Sequence, residues 1–597
     1  LVKFDFLGLK TLTVIHQTVK RINAKSTSKE VDIDKLPLDD KKTFAMLQKG
    51  ETTGVFQFES RGMREYLRQL VPNGFEDLVS MNALYRPGAL GMNMVDAYIN
   101  RKHGREEVTY GHEAVKRILE TTYGVIVYQE QVMQIAQELA GFSLGQADIL
   151  RRAMGKKKKE EMEEQRSAFI EGASKNKVNK RYAENLFDQI EQFAGYGFNR
   201  SHSVGYATIA YQTAWLKAHY PSEFMASMLS CELDSTDRIQ MFVQDSREAG
   251  LIVLKPDINQ SNYIFEDLDQ NTILYGLGAI KGIGDSLVAR ILEVRTNGEF
   301  IDLYDFCLRV GSNRVNKRIL TALIGSGAMD SLGKRDIIYN QIDSVLKKVE
   351  QASERLESKI NDLFGYEENK ITEDEMVLTN EHYNRLSHEW SALGFYLDAH
   401  PMDGREEEVR KMCGLLIHEI EEAPHPQRVA GMVLYINVRQ GRHGRYAFAT
   451  LDDGNSKIEV SIWAEAFDLY RNALRKGQLV VVEGVVEKDD FTKGSYKIVA
   501  DRVLNWEQAQ NEYTSHVQII LDKNKTDVEE LTSSLKEMST SEGSPIVINY
   551  SGGIASGDIA LPKDISISLS DDSISLLREL CGNNNVQLVY HPRPNLH

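Results

Sequence analysis

Strict alternation opens the chain. In LVKFDFLGLK, Val2, Phe4 and Phe6 share one face while Lys3 and Asp5 share the other, the two-residue period of a half-buried strand. The period then lengthens. Leu9, Leu12, Ile15, Val19 and Ile22 recur at three- and four-residue steps and predict a helix with one apolar face. From about residue 35 to 255 helical periodicity dominates, broken by loops such as LYRPGALG and FAGYGFNRSHS. Between about 256 and 405 the pattern predicts two short glycine-punctuated helical pairs, then a polar stretch from Lys347 to Glu381 that reads as a flexible surface segment. From Arg428 to Trp506 five β-rich runs separated by turn residues predict a small barrel. Beyond about 513, HVQIILD, PIVINY and VQLVYH alternate with two helices, a small α/β unit. The fold class expected is multidomain α+β.

Composition narrows the function. The 597 residues suit about three to five domains. No apolar run approaches the ~18 residues of a membrane span, and no secretory leader pattern opens the chain. Cys231, Cys307, Cys413 and Cys581 lie far apart without CxxC spacing, which predicts a reducing cytoplasm and no zinc. The net charge of −16 argues against nucleic-acid binding by bulk charge, so any such site must be local. The absent initiating Met and a start inside a strand predict a fragment of a longer polypeptide.

Two runs carry chemistry. In LRRAMGKKKKEEMEEQRSAF, Arg151, Arg152 and Lys156 to Lys159 place six cations in nine residues around Gly155, and EEMEE favours a helix start after the lysines. These cations are therefore expected at a loop and helix ends. A solvated face is the ordinary role of such a run, yet paired arginines at a glycine turn suit bidentate phosphate binding. The loop AGYGFNRSHSVGYA sets Tyr196, Phe198, Asn199, Arg200, Ser201 and His202 between glycines, a stacking surface beside polar groups or an ordinary helix-to-helix turn.

LVKFDFLGLKTL, ETTGVFQFESRGM, LYRPGAL, YGVIVYQEQVM, LRRAMGKKK and FAGYGFNRSHSVGYA, in this order and spacing, resemble the palm-to-fingers part of the family C polymerases, the alpha subunits of bacterial replicases. The likeness extends over essentially the whole chain. It implies template-directed nucleotidyl transfer from dNTPs to a primer 3′-hydroxyl by two Mg²⁺ ions held by three palm aspartates, of which Asp5 resembles the third. Lys3 would sit roughly 6–7 Å along the same strand face, where it could meet phosphate. Arg151 and Arg152 resemble the triphosphate-binding pair of the fingers, with Lys156 and Lys157 as weaker candidates, and Ser201 and His202 lie where those fingers approach the nucleotide. Arg86 and Tyr128 belong to shared motifs without an implied role. The family's other two aspartates precede this stretch, so the chain alone is expected not to polymerise. Asp32-Ile33-Asp34 has the form of a carboxylate pair but runs into the polar LPLDDKK and is not taken as that site.

Further along, Lys281-Gly282-Ile283-Gly284 before an apolar helix has the form of a helix-hairpin-helix, whose glycines let backbone amides approach a duplex phosphate. Gly325 and Gly327 in VNKRILTALIGSGAMDSLG make a second such motif expected. Ile360-Asn361-Asp362-Leu363-Phe364 aligns with the family's sliding-clamp peptide, with Ile360 in place of the usual Gln. In RQGRHGRYAF, Arg439, Arg442 and Arg445 interleave with His443, Tyr446 and Phe448, as single-strand binding on an OB fold requires, although a core role for one of the two strand aromatics is the alternative. The resemblance thus implies a last palm strand at 1–12, fingers at 13–255, a helix-hairpin-helix and clamp-binding region at 256–405, an OB fold at 425–508 and a terminal domain at 513–597. Its implied partners are primer-template DNA, single-stranded template, the sliding clamp, the clamp-loader tau subunit at the terminal domain, and a proofreading exonuclease that contacts the part not present. Two other readings compete: a non-catalytic DNA- and clamp-binding scaffold, and the family's error-prone paralogue.

Overall fold

A computed structural model describes residues 8–25, 30–156, 159–193, 197–357, 384–398, 400–442, 444–488, 496–521, 526–540, 543–551 and 556–591. Lys3, Asp5, Lys157, Tyr196, Ile360–Phe364 and His443 lie outside them, as does the side chain of Lys156. The chain forms two compact units, Leu1–Gly394 and Phe395–His597.

In the first unit, α1 (Lys10–Lys25) buries Val14, Ile15, Thr18 and Ile22. Leu12, expected on that face, is 50% exposed. The buried stripe is turned because Arg21 and Lys25, in the last turns, both reach Asp267 on a small strand far along the chain. Asp32 does local work: it caps the short 3-10 turn Ile33–Lys35 and pairs with Lys35 at 2.6 Å.

Helices fill the next two hundred residues, among them α2 (Phe75–Leu84), α3 (Gln129–Ala140), α4 (Leu144–Lys156), α5 (Lys159–Lys175) and α6 (Arg200–His219). Small residues Ser203, Ala207, Ala210 and Ala214 on α6 let it lie close against α2, where the Ser203 hydroxyl donates to the Val79 carbonyl at 2.6 Å. Two apolar cores result. One gathers Leu78, Val79, Tyr98, Val127, Tyr128 and Tyr211 around α2 and α6. The other gathers Val132, Ile135, Leu150, Phe169 and Phe187 around α3, α4 and α5.

Strands β1 (Ile252–Leu254), β2 (Glu266–Asp267) and β3 (Thr272–Leu274) form a small sheet with β3 central, parallel to β1 and antiparallel to β2. After it come α7 (Asp285–Arg295), α8 (Lys317–Gly325) and α9 (Arg335–Glu357). The polar stretch expected to be flexible from Lys347 is helical as far as Glu357, because Ile338, Ile342, Val345 and Val349 continue a buried stripe into it.

The second unit is led by a closed five-stranded barrel of β4 (Ala423–Gly441), β5 (Gly444–Asp452), β6 (Lys457–Ile462), β7 (Leu479–Lys488) and β8 (Tyr496–Asn505), ordered β4-β5-β6-β8-β7. Ala447, Ala449, Leu451, Val460, Ile462 and Val482 fill its interior. A mixed sheet follows, of β9 (Thr514–Leu521), β10 (Ile546–Ser551), β11 (Ser556–Ala560) and β12 (Val586–Tyr590), ordered β11-β10-β9-β12 and backed by helices Val528–Glu537 and Asp571–Cys581. Met402, Val409, Leu504, Trp506 and Tyr513 pack together where the barrel's last strand runs on toward that sheet.

Candidate nucleotide and nucleic-acid site

Three sequence motifs distant along the chain meet at the start of α6. Phe198 pairs with Tyr128 as an isolated β-bridge, and the Gln129 amide donates to the Phe198 carbonyl at 2.9 Å. The Arg86 guanidinium lies over the Phe198 ring, 4.3 Å from its centroid, and donates from Nε to the Ala83 carbonyl at 2.8 Å. Burial pulls that guanidinium below its ordinary pKa. Asn199 caps α6 by accepting from the His202 amide at 2.9 Å. The Arg200 amide donates to the Glu130 carboxylate at 3.0 Å, and its guanidinium grips Glu76 at 2.9 and 3.0 Å. Tyr128 is buried, its hydroxyl 3.2 Å from the Ser80 hydroxyl, which gives this residue a packing role. Ser201 and His202 remain exposed. The His202 ring stands 5.5 Å from Phe198 and 4.3 Å from Tyr206, the next ring along the helix.

Arg151 and Arg152 lie in the last turns of α4, at the helix end among the positions that the sequence pattern predicted. Asp148, three and four residues back, pairs with both at 2.8 Å. Its carboxyl is held below the ordinary aspartate pKa, first by the Arg151 hydrogen bond and then by the two charges. The arginines are thus fixed side by side at the negative end of a helix dipole. The Arg152 side chain is 65% exposed, which leaves it accessible to an anion.

The two glycine hairpins differ. Ile280–Gly284 folds as a tight turn with Gly282 at φ +83°, and Gly284 caps the N-terminus of α7 without a side-chain hydrogen bond. A Cβ built on Gly282 or Gly284 would meet nothing within 4 Å. Lys281 is exposed beside them. At Gly325-Ser326-Gly327 the surroundings are full. A Cβ on Gly325 would come within 2.7 Å of the His388 carbonyl oxygen, and one on Gly327 would overlap the Arg335 guanidinium. That guanidinium is bidentate to Asp330 at 2.7 and 2.8 Å, and Lys255 reaches the same carboxylate at 2.5 Å.

On the barrel, Tyr446 and Phe448 are half-buried on the outer face of β5 while Ala447 and Ala449 point inward, so neither is a core residue. Their strand partners are Arg439 and Asn437. The Arg439 guanidinium lies 5.6 Å from the Phe448 centroid. Trp463, just past β6 and 52% exposed, joins both rings at 5.7 and 6.3 Å. Arg442 and Arg445 are exposed near the same hairpin.

Residues 11–177 match the family described as the bacterial DNA polymerase III alpha subunit finger domain, residues 250–337 the helix-hairpin-helix motif, and residues 427–505 the OB-fold nucleic acid binding domain. Over 99% of its length the chain is 41% identical to DNA polymerase III subunit alpha of Pseudomonas aeruginosa, and it is likewise 41% identical to that of Escherichia coli K12. The chain belongs to the bacterial DNA polymerase III alpha subunit family. It spans about half the length of these relatives, 53% and 52%.

Set against the alpha subunit family, the finger match takes in α1 to α5, including Arg86, Tyr128, Arg151 and Arg152, and ends before Phe198. Tertiary structure adds the aromatic start of α6 to Arg86 and Tyr128. Sequence reading missed the Arg86–Phe198 stack and the ion pairs of Arg200, which join residues far apart in the chain. It also missed Trp463, whose signal was available: one of only four tryptophans, set in KIEVSIWA at the end of a barrel strand. Among the described residues, no group of three or more His, Cys, Asp and Glu could hold a metal, and no helix is long and apolar enough to cross a membrane.

Proposed function

We propose that this chain forms the fingers and downstream DNA-holding part of a replicative DNA polymerase, acting in DNA-templated addition of dNTPs to a primer 3′-hydroxyl. The observation that carries this reading is the meeting of the RPGAL, VYQE and GFNRSHS motifs on α6, in a chain 41% identical to polymerase alpha subunits. Arg151 and Arg152, preset by Asp148, supply a bidentate cradle for the triphosphate. Lys156 and Lys157, next in the sequence, add charge, and Ser201 and His202 present polar and ring groups to the nucleotide. The open Lys281–Gly284 loop takes a duplex phosphate on backbone amides, and the Tyr446–Phe448–Trp463 cluster with Arg439, Arg442 and Arg445 takes single-stranded template.

The reading includes Asp5 as one ligand of the two Mg²⁺ ions and Lys3 as its phosphate-facing neighbour. Among the described residues no group of three or more His, Cys, Asp and Glu could hold a metal, so Asp5 would act together with carboxylates from outside them. Residues 360–364 are proposed to engage the sliding clamp, and residues 513–597 the tau subunit. Primer extension with Mg²⁺ in a full-length polypeptide that includes this chain tests the assignment. Asp5→Asn should abolish extension while leaving primed-DNA binding intact, and extension at the wild-type rate would refute the role of Asp5. For the clamp, Leu363→Ala/Phe364→Ala should lose recovery in a pull-down.

A further inference from the structure

The ring row that begins at Phe198 does not stop at His202. Tyr206, one helical turn further, lies 5.3 Å from Phe56, a residue some 150 positions earlier in the chain. Phe198, Tyr206 and Phe56 are half-buried and His202 is exposed, so the row keeps one side to solvent. Phe198 rests on the apolar core below, which supports that end of the row.

The loop that delivers Phe56 is fixed from several directions. The Thr52 hydroxyl donates to the Phe58 carbonyl at 2.6 Å, Lys217 Nζ on α6 donates to the Thr53 carbonyl at 2.9 Å, and the Phe56 amide donates to Thr213 Oγ1, also on α6, at 3.1 Å. Next to Phe56 stands Gln57, exposed and held at φ +63°, a backbone region that a non-glycine side chain enters at a cost. A glycine there would relieve the strain, yet the position carries a long amide with two donors and an acceptor. Two carboxylates near the row are paired with cations, Glu59 with Arg238 at 3.4 Å and Glu76 with Arg200 at 2.9 Å, while Glu130 accepts the Arg200 backbone amide at 3.0 Å. That lowers the repulsion a phosphodiester backbone would meet.

We propose that Phe56, Gln57 and Tyr206 extend the α6 rings into a stacking platform for unpaired bases of a single-stranded template, with the Gln57 amide at a base edge. The inference rests on the nucleic-acid reading above and adds residues that reading did not use. A row of four rings at steps of 4.3 to 5.5 Å is longer than one nucleobase, which favours successive bases of a strand over a single free nucleotide.

The test uses the 597-residue chain and a primer-template carrying 2-aminopurine at the first unpaired template positions, whose fluorescence falls on stacking. Tyr206→Ala should reduce the quenching and weaken binding of the overhang about tenfold. Tyr206→Phe keeps the ring and should restore both. Gln57→Gly, which removes strain without adding bulk, should melt no lower than wild type and still lose part of the quenching. Circular dichroism and thermal melting of each variant separate lost stacking from lost fold. Unchanged quenching in Tyr206→Ala and Gln57→Gly overturns the proposal, as does quenching seen only with free 2-aminopurine deoxyribonucleoside triphosphate. If quenching is unchanged in both variants while they bind primed DNA with the wild-type salt slope, only the platform has failed. If the wild-type chain does not bind primed DNA, the broader reading fails with it.

Discussion

Two glycine hairpins in the first unit look alike as sequence and do opposite things as structure. Gly282 and Gly284 precede α7, so the amides they uncover belong to the positive end of a helix, and the space above them is open. Gly325 and Gly327 conclude α8. The Ala328 amide reaches back to the Leu323 carbonyl and Gly327 takes φ +81°, the arrangement that closes a helix C-terminus. The carbonyls there carry the negative end, and the Arg335 and Lys255 side chains fill the space beside Gly327. Glycine at the first hairpin leaves room for a ligand, whereas at the second it makes room for the protein.

The widest split between the hairpins is expected on removing the Asp330 carboxylate. Asp330→Ala strips the bidentate partner from Arg335, whose side chain is 8% exposed, and should cost about 3 kcal/mol. Hydrogen exchange would show it as lost protection in α8, with α7 unaffected. Gly325→Ala should follow, at about 1–3 kcal/mol, because the new methyl meets the His388 backbone. Duplex binding by the folded fraction should stay at the wild-type level in both. Gly284→Ala should invert the pattern. Its melting temperature should match wild type, since the methyl enters open space, while duplex DNA affinity drops about tenfold through a blocked amide–phosphate approach. Equal affinity in Gly284→Ala would remove the first hairpin from the DNA-binding surface.

The smallest effect is on pH. Burial raises the Asp330 pKa, but the hydrogen bonds from Arg335 and Lys255 outweigh it and leave the carboxyl below its ordinary value. A depressed aspartate contributes stability above its unfolded pKa of about 4, and that contribution is lost as pH falls through the lower folded value. Wild type and Asp330→Asn should therefore differ in melting temperature at pH 6 and converge as pH falls from about 4 through the lower folded value. A difference that persists unchanged at low pH would count against a charged Asp330.

How much of this was legible beforehand varies by region, for physical reasons. The barrel was fully anticipated as five strands, because a two-residue period with aliphatic residues on one side is a local signal that survives burial. The α1 stripe was anticipated at Ile15 and Ile22, but the buried face also takes in Val14 and Thr18 and leaves Leu12 exposed. Arg21 and Lys25 turn the helix toward Asp267, some 240 residues away, a contact that no local pattern encodes. The reach of α9 to Glu357 was masked by its polar composition, although the spacing of Ile338, Ile342, Val345 and Val349 held the signal. Arg151 and Arg152 were found as a pair at a helix end, but their partner was not: Asp148 at i−3 and i−4 pairs with both and supports the helix through them.

By itself the sequence determined the family and its order of modules, because long ordered motifs and hydrophobic periods are properties of the chain before it folds. It also determined which cations and aromatics were available for phosphate and base. Only tertiary structure decided which of them act together. Arg86, Tyr128 and Phe198 became one cluster, Phe56 joined Tyr206, and Trp463 joined Tyr446 and Phe448. Only tertiary structure also decided which glycine hairpin stays open. Ring stacking, ion pairing and steric room depend on distances between residues far apart in the chain, and packing alone sets those distances.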